Sequence, residues 1–121
     1  MRTAREVLED HLELSKKGSV EEDLKRNYAE DVVMLTSFGT HKGYEGMKRL
    51  AQLLEEQVPD MTFDYKYFTV EGEVGFLLWS ADSKNTFIDD GADSYVVRNG
   101  RIVAQTIYYT VKQKDKSGPG K

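Results

Sequence analysis

Few residues in this chain could carry chemistry. Cysteine is absent, which removes a thiol nucleophile, a disulfide and a thiolate metal site. The chain has two histidines, His11 and His41. His11 falls on the apolar side of a helical pattern with Ala4, Val7, Leu8 and Leu12, away from Glu9, Asp10 and Glu13. A neutral imidazole there can serve as acid or base near neutral pH. It can equally be a core histidine satisfied by one carbonyl or by Asp93. His41 stands in a loop beside Lys42 and reads as solvated.

The acids Asp82, Asp89, Asp90 and Asp93 are dense. Asp89-Asp90-Gly91 is ordinary turn chemistry, and Asp93 begins the strand after it. Asp93 either holds that turn through its own hydrogen bonds or faces an apolar cavity. In a cavity, desolvation would raise its pKa and let it donate or accept a proton. Asp93 and His11 are the catalytic candidates, and a His11–Asp93 pair is the sharpest expectation. Gln105 lies among apolar residues and must find a partner, because a buried unpaired amide costs about 1–3 kcal/mol. Two histidines without organised carboxylate spacing argue against a metal site. No glycine-rich phosphate loop, P-loop or nucleophile elbow is present, so no cofactor is expected.

These residues must be positioned by helices first and strands afterwards. Thr3-Ala4-Arg5-Glu6 fits a capping box and opens a helix that should stop at Gly18. Ser19 to Glu22 repeats the pattern and predicts a shorter helix with Val20, Leu24 and Tyr28 inward. Val32–Phe38 is a strand candidate, with Val32, Met34, Thr36 and Phe38 on one face. Gly39–Gly43 reads as a loop. A third helix runs from about Tyr44 to Gln57, closed by Pro59, and Gly46 is a mild defect in its first turn. Beyond Pro59 the pattern is all strand: Met61–Val70, Val74–Ala81, Thr86–Ile88, then a bulge or kink at Asp89-Asp90-Gly91. Val74–Ala81 is nearly continuously apolar, which predicts cover on both faces. Asp93–Arg98 and Arg101–Val111 form a hairpin about Asn99-Gly100. In it Asp93, Tyr95 and Val97 share one face. The polar segment 112–121 reads as a flexible tail, leaving 1–111 as a single domain.

Helices followed by an antiparallel sheet is the α+β pattern. A long, kinked sheet covered by three helices curls around them and leaves a cavity at one end. The net charge of −4 argues against a nucleic-acid binder, which needs a basic face. No apolar run approaches a membrane span, and the N-terminus lacks the apolar core of a signal peptide. A cytoplasmic location follows as the default.

Three segments resemble a known group: Gly18–Phe38 (GSVEEDLKRNYAEDVVMLTSF), Gly43-Tyr44-Glu45-Gly46, and Gly91–Thr110 (GADSYVVRNGRIVAQTIYYT). The sequence is similar to SnoaL-like members of the nuclear transport factor 2-like superfamily, the cone-shaped α+β fold that includes the ketosteroid isomerases. The resemblance implies a pocket in the cone with an acid–base site. Against the isomerases, the tyrosine of the first helix corresponds to His11 and the general base of the first strand to Thr36. The protonated aspartic acid of the oxyanion hole corresponds to Asp93. A carboxylate at position 36 is therefore missing, and proton shuttling falls to His11 or Asp93.

The same resemblance points Leu77, Trp79 and Ala81 inward, with Val103, Gln105, Ile107 and Tyr109 on the last strand. Trp79, Tyr95, Gln105 and Tyr109 are then the next layer of the site. Tyr28, Met34, Phe38, Tyr44, Met47 and Leu54 close the pocket from the helical side or pack in the core. The implied ligand is a small hydrophobic molecule. The implied chemistry is a cofactor-free isomerase or lyase step; the alternative is a non-catalytic binding or dimerisation module. The outward face of the final hairpin (Ser94, Val96, Arg98, Ala104, Thr106, Tyr108 and Thr110) suits a homodimer packed sheet to sheet.

Overall fold

A computed structural model describes residues 1–114. Among these, three helices precede most of a seven-stranded sheet. The helices are α1 (Ala4–Lys17), α2 (Val20–Asn27) and α3 (Gly43–Gln57). The strands are β1 (Tyr28–Thr36), β2 (Gly39–Lys42), β3 (Thr62–Glu71), β4 (Val74–Asp82), β5 (Thr86–Arg98), β6 (Arg101–Tyr108) and β7 (Lys112–Gln113). The sheet runs β2-β1-β6-β5-β4-β3, with β7 added to β5. Only β1 and β6 pair in parallel among the described strands, so this α+β sheet is mixed but mostly antiparallel.

Helix α1 starts as its chemistry dictates. Glu6 N–H donates to Thr3 Oγ1 at 3.1 Å, and Thr3 N–H donates to Glu6 Oε1 at 2.8 Å, closing the capping box. It ends at Gly18, whose φ of 71° is the left-handed value that terminates a helix. Helix α2 departs from expectation: the Ser19 side chain makes no cap hydrogen bond. The backbone turns there through Asp23 N–H to Ser19 O, at 3.0 Å. Tyr28 is not helical; it begins β1 and remains buried.

The predicted loop at Gly39–Gly43 is a strand instead. β2 pairs antiparallel with β1, Thr36 opposite Gly39 and Val33 opposite Lys42. His41 is consequently held half-buried on β2, its Nδ1 enclosed without a hydrogen-bond partner among the described residues, rather than solvated. Gly46 packs against it: a Cβ there would lie 3.2 Å from His41 backbone and side-chain carbons. The glycine that weakens the first turn of α3 thus lets that turn approach β2.

Two of the four register shifts among the described strands set which side chains of the final hairpin face the helices. Trp79 lies opposite Gly91 and Ala81 opposite Ile88, so β5 carries one extra residue across Asp89-Asp90. On β6, Val96 faces Ala104 but Val97 faces Ile102. The extra residue, Val103, leaves the inward row, and fully buried Ile102 takes the place expected for Val103. The hairpin between β5 and β6 turns at Asn99 and Gly100, with φ of 55° and 75°, the positive values a type I′ turn requires.

The core lies between the helices and the inner sheet face, with Val7, Leu8, Leu24, Val32, Met34 and Ile102 almost wholly buried. β4 alternates between buried and exposed positions and is not covered on both faces: Val74, Phe76 and Leu78 point to solvent. Lys112 and Gln113, expected in a loose tail, pair with Phe87 and Thr86. Residues 115–121 of that expected tail lie outside the described residues.

Candidate functional site

The site begins with a close approach of α1 to the sheet. At Gly75 a side chain would overlap Leu8, so the glycine lets α1 settle onto β4. His11 stands one turn after Leu8 and is carried over the inner faces of β1 and β5. Its ring meets Tyr28 and Tyr95 edge-on, with centroids 5.5 and 5.4 Å away. The pleat of β5 turns Asp93, Tyr95 and Val97 to the same side, all buried. Across the sheet, Gln105 pairs with Tyr95 and Met34 with Gln105, which brings β6 and β1 into the same layer.

Asp93 is buried with three neutral donors. Trp79 Nε1–H donates to Oδ1 at 2.9 Å, Gln105 Nε2–H to Oδ2 at 3.0 Å, and Tyr95 O–H to Oδ2 at 3.3 Å. Burial raises its pKa to about 6; the bonds from Trp79 and Gln105, nearby His11 and the Tyr95 hydroxyl pull the other way but do not cancel it. Trp79 reaches Asp93 because residue 91 is glycine. A Cβ at Gly91 would overlap the indole ring. Gln105 is oriented from its other end, where Tyr28 O–H donates to Oε1 at 2.6 Å.

His11 does not pair with Asp93. Its Nδ1 lies 2.7 Å from Asp23 Oδ2, and its Nε2 lies 3.3 Å from the Tyr95 hydroxyl. The expected pair is thus two separate contacts, with Tyr95 standing between the imidazole and Asp93. Asp23 is fixed from behind by Asn27 Nδ2–H, 2.9 Å from Oδ1. Asn27 also donates to Asp10 Oδ2 at 2.9 Å and accepts from Arg2 at 2.8 Å, so this end runs out to the surface.

Above these groups a cavity of about 530 Å³ opens between the three helices and the inner sheet face. That volume lies within the range of small-molecule pockets. His11, Tyr28, Trp79, Asp93, Tyr95 and Gln105 all reach it. Its walls are mainly apolar: Leu50, Leu54, Met47 and Met61 on one side, Phe63, Leu77 and Ile107 on the other. Tyr65 and Tyr109 add phenols, both with pKa pushed up to about 12 by burial. Lys48 stands among the lining residues with its charge answered by Glu21 at 3.2 Å and Glu45 at 3.4 Å.

The match to known proteins accords with this architecture. Residues 8–105 match the SnoaL-like domain. The chain belongs to the SnoaL-like family. Solved structures of the nuclear transport factor 2-like fold superpose on it at low identity. A protein of unknown function from Cytophaga hutchinsonii is 16% identical over 91% of this chain and 92% of its own, with a TM-score of 0.71. A candidate SnoaL-like polyketide cyclase from Mesorhizobium loti is 21% identical over 89% and 100%, with a TM-score of 0.67. A candidate ketosteroid isomerase from Kribbella flavida is 16% identical over 88% and 77%, with a TM-score of 0.75. No curated protein matches the sequence.

Within this SnoaL-like cone the predicted residues separate into layers. Asp93, His11, Trp79, Tyr95, Gln105 and Tyr28 meet at the floor. Tyr109 joins that floor to the rim, its ring centroid 5.7 Å from that of Trp79 and 5.5 Å from that of Phe38. Phe38 is 45% exposed, so it is a rim residue and not a buried wall. Thr36 reaches the cavity, but its hydroxyl serves the turn to β2, accepting from Phe38 N–H at 2.8 Å and donating to Gly39 O at 3.1 Å. Met34 does not line the cavity; it is fully buried beneath it, in the same cross-strand row as Gln105. Tyr44 likewise turns away, donating to Tyr28 O at 2.9 Å.

Asp23 and Asn27 are the site residues that sequence reasoning missed. Asp23 is masked by Glu21 and Glu22, which make the segment read as a solvated first turn. The signal lay in the spacing: Val20, Asp23, Leu24 and Asn27 fall at i, i+3, i+4 and i+7, one helical face.

Proposed function

We propose that the cavity holds a small, uncharged, largely apolar molecule and that the chain moves a proton on it without a cofactor. The reaction class is an isomerase, lyase or cyclase step beside a carbonyl. Asp93 carries this reading: a carboxyl at the cavity floor, bound by three neutral donors and met by no lysine or arginine among the described residues. With a pKa of about 6 it is mostly ionised at pH 7 and ready to take a proton, yet near enough to that pH to return it. His11 is the second acid–base group, and Gln105 and Trp79 hold Asp93 in place. The paired Lys48 and the acidic floor both disfavour an anionic ligand.

The test is proton exchange on a panel of neutral cyclic enones and β-diketones in D2O, followed by NMR. Deuterium should enter next to the carbonyl with the wild-type protein. Asp93→Asn should slow that by about 10²–10⁴-fold, the usual worth of a positioned acid–base group. Equal rates in the two proteins would remove Asp93 from the chemistry.

A second reading, a dimerisation module, is favoured by the outer sheet face. Leu35, Thr106, Ser94, Phe76 and Thr69 lie in one cross-strand row, and Tyr108, Ala92, Leu78 and Tyr67 in another. Leu35, Tyr67, Val74, Phe76, Leu78 and Tyr108 are each more than a third exposed. This is a broader apolar surface than the final hairpin alone, and a second copy packed sheet to sheet would cover it. Sedimentation equilibrium should give a dimer that Phe76→Lys dissociates. A wild-type monomer would reject this interface and leave the cavity reading untouched.

A further inference from the structure

We propose that Tyr95 is a proton-relay residue, its hydroxyl passing one proton between Asp93 and His11 while Asp23 holds the imidazole from behind. The proposal deepens the proton-transfer reading above and rests on it for its purpose, though its geometry stands alone. A phenol has one proton and two lone pairs, so it can receive a proton on one side as it gives one on the other. Tyr95 O lies 3.3 Å from Asp93 Oδ2 and 3.3 Å from His11 Nε2. Both contacts are longer than the usual 2.7–2.8 Å of a hydroxyl hydrogen bond. The hydroxyl that donates to Asp93 is thus equally far from His11, and rotation about its C–O bond turns the proton from one acceptor to the other.

Asp23 settles the imidazole tautomer. Its Oδ2 lies 2.7 Å from Nδ1; an ionised carboxylate can only accept there, so the ring proton of neutral His11 would sit on Nδ1 and leave Nε2 open toward Tyr95. Two arrangements then differ only in where one proton resides. In the first, Asp93 is protonated and donates to the Tyr95 oxygen, and Tyr95 donates to His11 Nε2. In the second, the Asp93 O–H bond has broken as a new Tyr95 O–H bond forms. The former Tyr95 proton has become Nε2–H. Asp93 is then a carboxylate and His11 an imidazolium, and no co-reactant is consumed. Tyr95 is a neutral phenol in both. Burial and the neighbouring Asp93 carboxylate push its pKa well up, so phenolate is no resting state.

The polar and titratable surroundings of this chain of groups are Asp10 from α1, Asp23 and Asn27 from α2, Tyr28 from β1, Tyr65 from β3, Trp79 from β4, Gln105 from β6, and Tyr109 just after β6. Arg2, beyond Asn27, is the cation nearest this chain of groups through hydrogen bonds, and it lies on the outer side. The relay has a clear use. A proton shift removes a proton with one group and returns it elsewhere, leaving acid and base interchanged. Tyr95 restores them internally, without exchange with water.

The experiment is an NMR pH titration of protein carrying carboxyl-13C aspartate and ring-15N histidine, without any ligand. In the wild-type protein the Asp93 carboxyl and His11 Nε2 signals should move together through one pH range. Tyr95→Phe should separate the two curves and shift the Asp93 midpoint upward from about 6, since the Tyr95 bond lowers it. His11→Gln, read at Asp93, is the second variant should Tyr95→Phe not fold. It should move the Asp93 curve upward, out of the pH range it shares with His11 in the wild-type protein, since His11 lowers it. Identical curves in the wild-type protein and either variant would overturn the relay. Coupled curves with no proton exchange on any enone would instead reject the catalytic reading and leave the relay standing.

Discussion

Two aspartates lie at the same depth in this protein and are built in opposite ways. Asp23 is 6% exposed and Asp93 8%. Asp23 meets an imidazole nitrogen, and its second oxygen is tied through Asn27 to Asp10 and Arg2 at the surface. Asp93 meets an indole, an amide and a phenol, and faces the cavity. Burial alone does not assign a role. Neutral donors around a buried carboxyl offset its desolvation without supplying an opposite charge. Asp93, offset but not neutralised, is poised near 6.

The largest effect expected from this contrast comes from Gly91, on the Asp93 side. Gly91→Ala would place a methyl group inside the Trp79 indole. Overpacking of this kind costs about 1–3 kcal/mol and occasionally more, and here it also dislodges a donor from Asp93. Urea unfolding should show a loss of about 3 kcal/mol, and the emission of the single tryptophan should shift. Unchanged stability and emission would break the claim that the Asp93 end is built on that indole seat.

Next in size is the pH dependence of Asp93. An unfolded aspartate ionises near 3.9, and folded Asp93 near 6. Between those values the unfolded chain releases the proton first, so folding weakens as pH rises. The contribution is fully present below about pH 4 and is lost by the time pH has passed 6. At 1.36 kcal/mol per unit the loss is roughly 3 kcal/mol. Asp93→Asn should flatten this part of the stability curve measured by urea unfolding from pH 4 to pH 7. A slope that survives Asp93→Asn would mean another group carries it.

Asp23→Asn has its own, smaller cost. The amide oxygen can still accept from His11, but its NH2 group then meets the Asn27 amide, donor against donor. A buried unmatched donor costs about 1–3 kcal/mol. A variant as stable as the wild type would show that Asn27 turns over freely and that this end is looser than its hydrogen bonds indicate.

The contrast between the two ends was only partly legible in the sequence. The Asp93 end announced itself because its devices are local. Asn99-Gly100 needs positive φ, Asp89-Asp90-Gly91 marks the extra residue, and the strand period then carries Asp93 and Tyr95 to one face. The capping box at Thr3 and the stop at Gly18 placed α1 for the same reason. The partners were not local. His11 is 12 residues from Asp23 and 84 from Tyr95, and nothing in its helical phase says which group its ring will meet. The bulge at Val103 moved Ile102 inward because pairing between strands, not sequence alternation, sets the local register. β2 was missed because its four residues, Gly-Thr-His-Lys, carry no apolar alternation and gain strand form only by pairing with β1. The apolar run of β4 suggested cover on both faces, yet its outer residues Phe76 and Leu78 are open in a single chain.

The smallest expected effect tests how far the Asp93 end extends. Tyr28 O–H donates to Gln105 Oε1, which fixes the amide so that its NH2 group faces Asp93. Tyr28→Phe keeps the ring and deletes that anchor. It should cost about 1 kcal/mol, the usual worth of one buried hydrogen bond. The more telling readout is the Asp93 carboxyl signal. Gln105 is one of the donors holding the Asp93 pKa down, and without Tyr28 the amide can rotate its oxygen toward the carboxylate. The Asp93 midpoint should then rise above about 6. A midpoint unmoved by Tyr28→Phe would mean that Asp93 alone orients Gln105. The Asp93 end would then stop at its three direct donors, and β1 would enter the site only through the wall that Tyr28 provides.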